Sequence, residues 1–293
     1  MSIIVIIFLI ILLLMIFEIR RELCIFQVNH YIAAYSKLDT LKEEKKILFL
    51  SDLHNQVYGE NNDSLLEKIR AEKPALILIG GDMLIGKKGY TYDTALDFVR
   101  ELPPIAPVYY ANGNHEQRMK ERPDNYGFGY IKYKKELINA GVNFLENESA
   151  TIYFDDIPIH ITGIEIPLKN YKHFTTPKLI QKEISKRIGE RAKVGFNILL
   201  AHNPSYMDSY KKWGADLILS GHFHGGIIRI PGVRGLVIPG FGSHKKYSGG
   251  IFLEGDQRII VSKGLGNHTI RIRLFNKAEV VALHLRRKTT HNM

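Results

Sequence analysis

Five short apolar runs in this chain share one layout. "ILFL" (47–50) runs into "SDLH", "ALILIG" (75–80) into "GD", and "PVYYA" (107–111) into "NGNHE". "NILLA" (197–201) runs into "HNP", and "ADLILS" (215–220) into "GHFHGG". The runs lack the alternation of half-exposed strands, so they read as strands buried on both faces. Such a sheet has to be covered by further layers. Each run also delivers ligand-type side chains just past its C-terminal end: Asp52 and His54, Asp82, Asn114 and His115, His202, and His222 and His224. Ligands of α/β sheets bind in the crevice beyond those ends, so the eight residues converge on one shared site.

The intervening segments fit this frame. "NNDSLLEKIRAEKP" reads as a helix capped by Asn62 or Asp63, with Pro74 beyond its end. "TYDTALDFVREL" and "YIKYKKELINAG" are further helices, and a charged helix falls within 176–190. "TIYF" and "IPIHITGIEI" read as strands. From Ile227 on the pattern is mostly strand, in "IIRI", "GIFL", "RIIVS", "TIRIRLF" and "VVALHL". Alternating units followed by strands point to an α/β fold of two packed sheets with helices outside.

The donor set suits a pair of metals. Carboxylates, neutral imidazoles and an amide oxygen are ligands for divalent ions such as Mn, Fe or Zn. Two such ions clamp a phosphoryl group, and a carboxylate can bridge them. Glycines beside Asp82, Asn114 and His222 remove side chains where the backbone must come close. Singly, each of these residues could be a cap, turn or loop residue.

The ordered blocks Asp52-Leu-His54, Gly81-Asp82, Gly113-Asn114-His115-Glu116, His202 and Gly221-His222-Phe-His224 resemble the calcineurin-like metallophosphoesterases. The C-terminal part resembles a bacterial, membrane-anchored or exported branch that includes relatives of UDP-2,3-diacylglucosamine pyrophosphatase. That branch commonly has Gln after the last "HGG", where this chain has Ile227. The resemblance implies a four-layer αββα sandwich that hydrolyses phosphate esters or anhydrides. It implies a first metal on Asp52, His54 and His224, a second on Asn114, His202 and His222, and Asp82 bridging both. His115 would serve the transition state or the leaving oxygen without ligating a metal.

The other histidines get a plainer reading. His160 and His284 lie within strands, and His30, His173, His244, His268 and His291 match no block. Arg118, Lys120 and Arg122 read either as a solvated loop or as a basic cluster at the site mouth.

The N-terminus carries "IIVIIFLIILLLMIF" (Ile3 to Phe17), fifteen apolar residues without a charge. No basic residue precedes it and no small-residue cleavage site follows, so it reads as an uncleaved anchor rather than a signal peptide. The expected organisation is an anchor over 1–22, a connector over 23–45, the catalytic domain over 46–286 and a tail over 287–293. Arg20, Arg21 and Lys37 follow the run, which places the catalytic domain on the cytoplasmic side. The lone Cys24 excludes an intrachain disulfide and a cysteine-based zinc site.

The formal net charge of +10 suits anionic partners: a phosphorylated small molecule, a lipid-linked substrate or an anionic membrane surface. The sequence argues against two other functions. A nuclease would need an extended basic, aromatic groove, and no RNA- or DNA-binding module is visible, so nucleic acid is not the expected partner. A non-catalytic scaffold should lack ligands, and this chain lacks none.

Overall fold

The computed structural model describes residues 3–171, 178–226, 228–229, 246–267 and 271–288. An N-terminal helix, α1 (Ile3–Cys24), precedes strands β1 (Phe26–Tyr35) and β2 (Lys45–Leu50). Then come α2 (Asp63–Glu72), β3 (Leu76–Ile79), α3 (Asp93–Val99), β4 (Val108–Tyr110), α4 (Asn114–Glu121), α5 (Pro123–Tyr126), α6 (Gly129–Asn139) and β5 (Val142–Phe144). The second half holds β6 (Ser149–Phe154), β7 (Ile157–Ile164), α7 (Gln181–Ile188), β8 (Phe196–Ala201), α8 (Met207–Trp213) and β9 (Leu217–Ser220). It closes with β10 (Gly250–Glu254), β11 (Gln257–Val261) and β12 (Ala278–Arg287).

Among the described residues these strands form two six-stranded sheets, ordered β1-β12-β2-β3-β4-β5 and β10-β11-β9-β8-β7-β6. The period-2 geometry of a strand explains the layering. Ile47 and Phe49 of β2 point to the core between the sheets, where they meet Ile161, Ile198, Leu200 and Leu219. Leu48 and Leu50 point the other way, under Leu65, Ile69 and Phe98 of the helices. In the second sheet Leu199 and Ile218 turn outward, beneath Ile184, Tyr210 and Trp213. Apolar residues on both faces of each central strand thus give the expected αββα sandwich.

Strands β2, β3 and β4 run parallel, as do β7, β8 and β9. Their C-terminal ends therefore lie on one edge of each sheet, and the two edges adjoin.

Several expectations need correction. The connector expected over 23–45 contains β1, which pairs with β12 from Phe26↔Ala278 to Tyr35↔Arg287 and is part of the first sheet. The helix α1 runs past residue 22, to Cys24. "TIRIRLF" is not a regular strand: among its described residues only Leu274 makes a ladder contact, an isolated bridge to Ile228. Arg273 there is fully buried and donates to the carbonyls of Lys263, Gly264, Gly266 and Asn276. Arg118 and Lys120, read as a solvated loop or a cluster at the site mouth, lie on α4. Ile227, His173, His244, His268 and His291 lie outside the described residues.

Candidate metal centre

The site is built on backbone that ordinary residues avoid. Asp52 (φ 55°), His54 (φ 47°), Asp82 (φ 55°), His222 (φ 70°) and His224 (φ 52°) all take left-handed conformations. Such strain persists only where the surroundings impose it, and it clusters at functional sites. Here the turns brace one another. Asp52 N–H donates to Gly81 O at 2.9 Å, His54 N–H to Asp82 O at 3.1 Å, and Gly221 N–H to His202 O at 3.0 Å. The glycines are required by close approach. A Cβ on Gly113 would sit 2.2 Å from Asp82 Oδ1, and one on Gly221 2.2 Å from Asp52 Oδ2.

Three overlapping groups of donors result, one of them His54, Asp82 and His115. Asp52, His54 and His224 form another, and Asp82, His202 and His222 the last; within each, the ligand atoms lie within 4.8 Å of one another. They are linked: His54 Nε2 is 3.8 Å from both Asp52 Oδ1 and Asp82 Oδ2. His202 Nε2 is 3.1 Å from Asp82 Oδ2, and His224 Nε2 is 3.4 Å from Asp52 Oδ1. The imidazoles are aimed from behind. Nδ1 of His202 bonds Gly80 O and Nδ1 of His224 bonds Gly266 O, both at 2.7 Å, so in the neutral ring each Nε2 faces the site as an acceptor. Asn114, the first residue of α4, is buried, and its Oδ1 has no hydrogen-bond partner among the described residues. An orphaned amide oxygen beside carboxylates and imidazoles fits a divalent-metal site.

His115 differs from the other site histidines. Its Nδ1 accepts the Gly86 N–H at 2.8 Å, so in the neutral ring the proton sits on Nε2, 4.0 Å from Asp82 Oδ2. It presents a donor rather than a ligand lone pair.

The charges are strongly coupled. Burial works against the Asp82 carboxylate, but His202 and then His115 overcome it and hold its pKa well below the usual range. Burial likewise opposes protonation of His202, yet the charges of Asp82 and Asp52 push that imidazole up to about 10. Burial, then the His202 charge, pushes His222 well below its ordinary value, and burial lowers His224.

A family model described as calcineurin-like phosphoesterase matches residues 45–226, more than half of the chain. The chain is a calcineurin-like phosphoesterase. Metallophosphoesterase YkoQ of Bacillus subtilis (strain 168) is 28% identical over 250 residues, covering 83% of this chain and 84% of YkoQ. Phosphodiesterase YaeI of Escherichia coli (strain K12) is 28% identical over 243 residues, covering 82% of each. This calcineurin-like phosphoesterase is therefore a metal-dependent enzyme, and its His/Asp clusters fit a dinuclear divalent site.

The fold thus brings all eight expected residues of the phosphoesterase to one rim. Other residues that shape the site were not anticipated. Glu116 is fully buried and accepts from Asp82 N, Met83 N, Gly113 N and the Tyr110 hydroxyl. Its place after "GNH" was the available signal. Arg273 and Asn276 hold the loops behind His224, and no local pattern marks them. Lys120 lies on α4, and both Glu146 and Glu165 bond its ammonium at 2.7 Å, which makes it a structural ion pair.

Proposed function

We propose that this phosphoesterase is a membrane-anchored, dimetal hydrolase of phosphodiesters or phosphoanhydrides. In this reading Asp52, His54 and His224 hold one ion, Asn114, His202 and His222 the other, and Asp82 bridges them. The observation that carries it is the set of overlapping donor clusters joined through His54 and Asp82, with the His115 donor among them.

Divalent ions held there supply Lewis acidity and an acidified water. The chain's own groups do the rest. Gly80 O and Gly266 O hold the imidazoles in the tautomer that leaves Nε2 open. His115 Nε2–H donates to a phosphoryl oxygen as charge builds, or passes its proton to the leaving oxygen. The diester preference is supported by the resemblance to a relative named phosphodiesterase. The anchor reading is supported by α1, whose apolar residues from Ile3 to Phe17 are all exposed. Arg20 and Arg21 at its end favour a cytoplasmic catalytic domain.

The test uses the full chain in nanodiscs with Mn, because a fragment starting near residue 40 would lack β1. Bis-p-nitrophenyl phosphate and a nucleotide sugar should be hydrolysed faster than p-nitrophenyl phosphate or single-stranded DNA. Metal-loaded protein that cleaves none of the first two contradicts the reading.

A further inference from the structure

The anchor of this protein is bonded to the loops behind its site. Phe17 is the last residue of the exposed apolar stretch, and Glu18 and Ile19 are the first to be only partly exposed. One turn later Glu22 is fully buried, and its Oε2 accepts the Asn276 N–H at 2.8 Å. The Asn276 amide then donates to His224 O at 2.7 Å and to Gly226 O at 2.6 Å. A single residue, Asn276, therefore separates the helix end from the histidine loop. On the other side Gln56, two residues from His54, donates to Leu23 O at 3.4 Å. β1 begins at Phe26, directly after α1, so no spacer intervenes.

Length sets the depth. From Phe17 to Glu22 an α-helix rises about 8 Å. The headgroup layer on each side of a bilayer is on the order of 5–8 Å thick. If Phe17 lies at the edge of the hydrocarbon, Glu22 and the loops bonded to it lie at headgroup level.

The surface around that exit suits the position. Tyr90 and Arg271 line a cavity of about 190 Å³ that also contains His54 and Asn55. Phe275, next to Asn276, is 54% exposed, Tyr90 is 55% exposed, and Ile272 is exposed beside Arg271. Exposed apolar and aromatic side chains interspersed with arginine are the composition of an interfacial belt.

We infer that this rim is a membrane-contact surface, that the bilayer crossed by α1 is its occupant, and that the site opens onto the headgroup layer and takes lipid-borne phosphodiesters. The inference rests on the membrane-anchored hydrolase reading above and deepens it by naming the surface and the substrate class. Binding at the interface replaces a three-dimensional search with one along the membrane, so a lipid substrate gains effective concentration without any new contact.

The test uses the full chain in nanodiscs of phosphatidylcholine and phosphatidylglycerol. Nitroxide labels are placed one at a time at Phe275→Cys, Tyr90→Cys and Tyr153→Cys in a Cys24→Ser background. Tyr153 is exposed and pairs with Pro158 at the start of β7, the end of the sheet away from the site. Labels at 275 and 90 should be more accessible to oxygen than to a water-soluble nickel complex, and the label at 153 the reverse. In parallel, hexadecyl p-nitrophenyl phosphate is compared with ethyl p-nitrophenyl phosphate, which has the same leaving group. The hexadecyl ester should be preferred at least tenfold in kcat/KM. Ile272→Glu with Phe275→Glu should remove most of that preference while leaving ethyl ester turnover in place, which also reports correct folding. Water-exposed labels at 275 and 90 overturn the contact surface. Equal use of the two esters by the unaltered chain overturns the lipid substrate. Loss of both esters in the unaltered chain would count instead against the hydrolase reading, and the label depths would still decide the contact surface.

Discussion

Glu116 Oε2 accepts the backbone N–H of Asp82 at 2.8 Å, and its Oε1 accepts the next N–H, that of Met83, at 2.8 Å. The turn that presents Asp82 is thus held by a carboxylate on the helix that presents His115. Burial, and then the Asp82 charge, push the Glu116 carboxyl up to about 7. Glu116→Gln replaces one acceptor oxygen with a donor amide and leaves backbone N–H groups without a partner. Removing the partner that orients a ligand typically costs 10–100-fold in metal affinity. Mn titration should show a loss of about that size; affinity within a factor of two of the unaltered chain would contradict it.

His115 is predicted to act on the reacting group without holding metal. His115→Ala should retain its metals and lose about 10²–10⁴ in turnover. The loss should be smaller for a p-nitrophenyl ester, whose leaving group needs little protonation, than for an alkyl diester. Equal losses across leaving groups would remove the acid role and leave transition-state charge stabilisation.

Metal binding should release protons. The folded pKa of His202, about 10, lies above its ordinary value of 6.5. Protonated His202 therefore stabilises the metal-free fold fully below pH 6.5, and that contribution disappears as the pH rises through about 10. A metal ion needs the neutral ring, so binding must displace this proton. Mn affinity should rise from pH 7 to pH 9, and loading at pH 8 in weak buffer should acidify the solution by about one proton per chain. Affinity that does not change over this range would refute the link between His202 and the metal.

Legibility followed burial and chemistry. β2, β3, β8 and β9 were readable because both of their faces are buried, which leaves unbroken apolar runs. β1 was not, because it is an edge strand: Gln27, Asn29 and His30 lie on partly exposed faces, and Ala33 and Ala34 carry little strand preference. "TIRIRLF" shows the opposite failure. Its alternation mimics a strand, yet Arg273 is turned inward to bond loop carbonyls. The ligand positions were legible because each follows a strand that marks it. Glu116, Arg273 and Asn276 act through backbone groups far away in sequence, for which no local pattern exists.

Asp82 is the proposed bridge between the two metals, so its removal tests the centre most directly. Metal content by mass spectrometry and hydrolysis of bis-p-nitrophenyl phosphate should be measured together on the unaltered chain and on Asp82→Ala. The unaltered chain should carry two ions and turn over. Asp82→Ala should carry well under two and lose nearly all activity. A variant with two ions and near-normal turnover would contradict a centre bridged by Asp82.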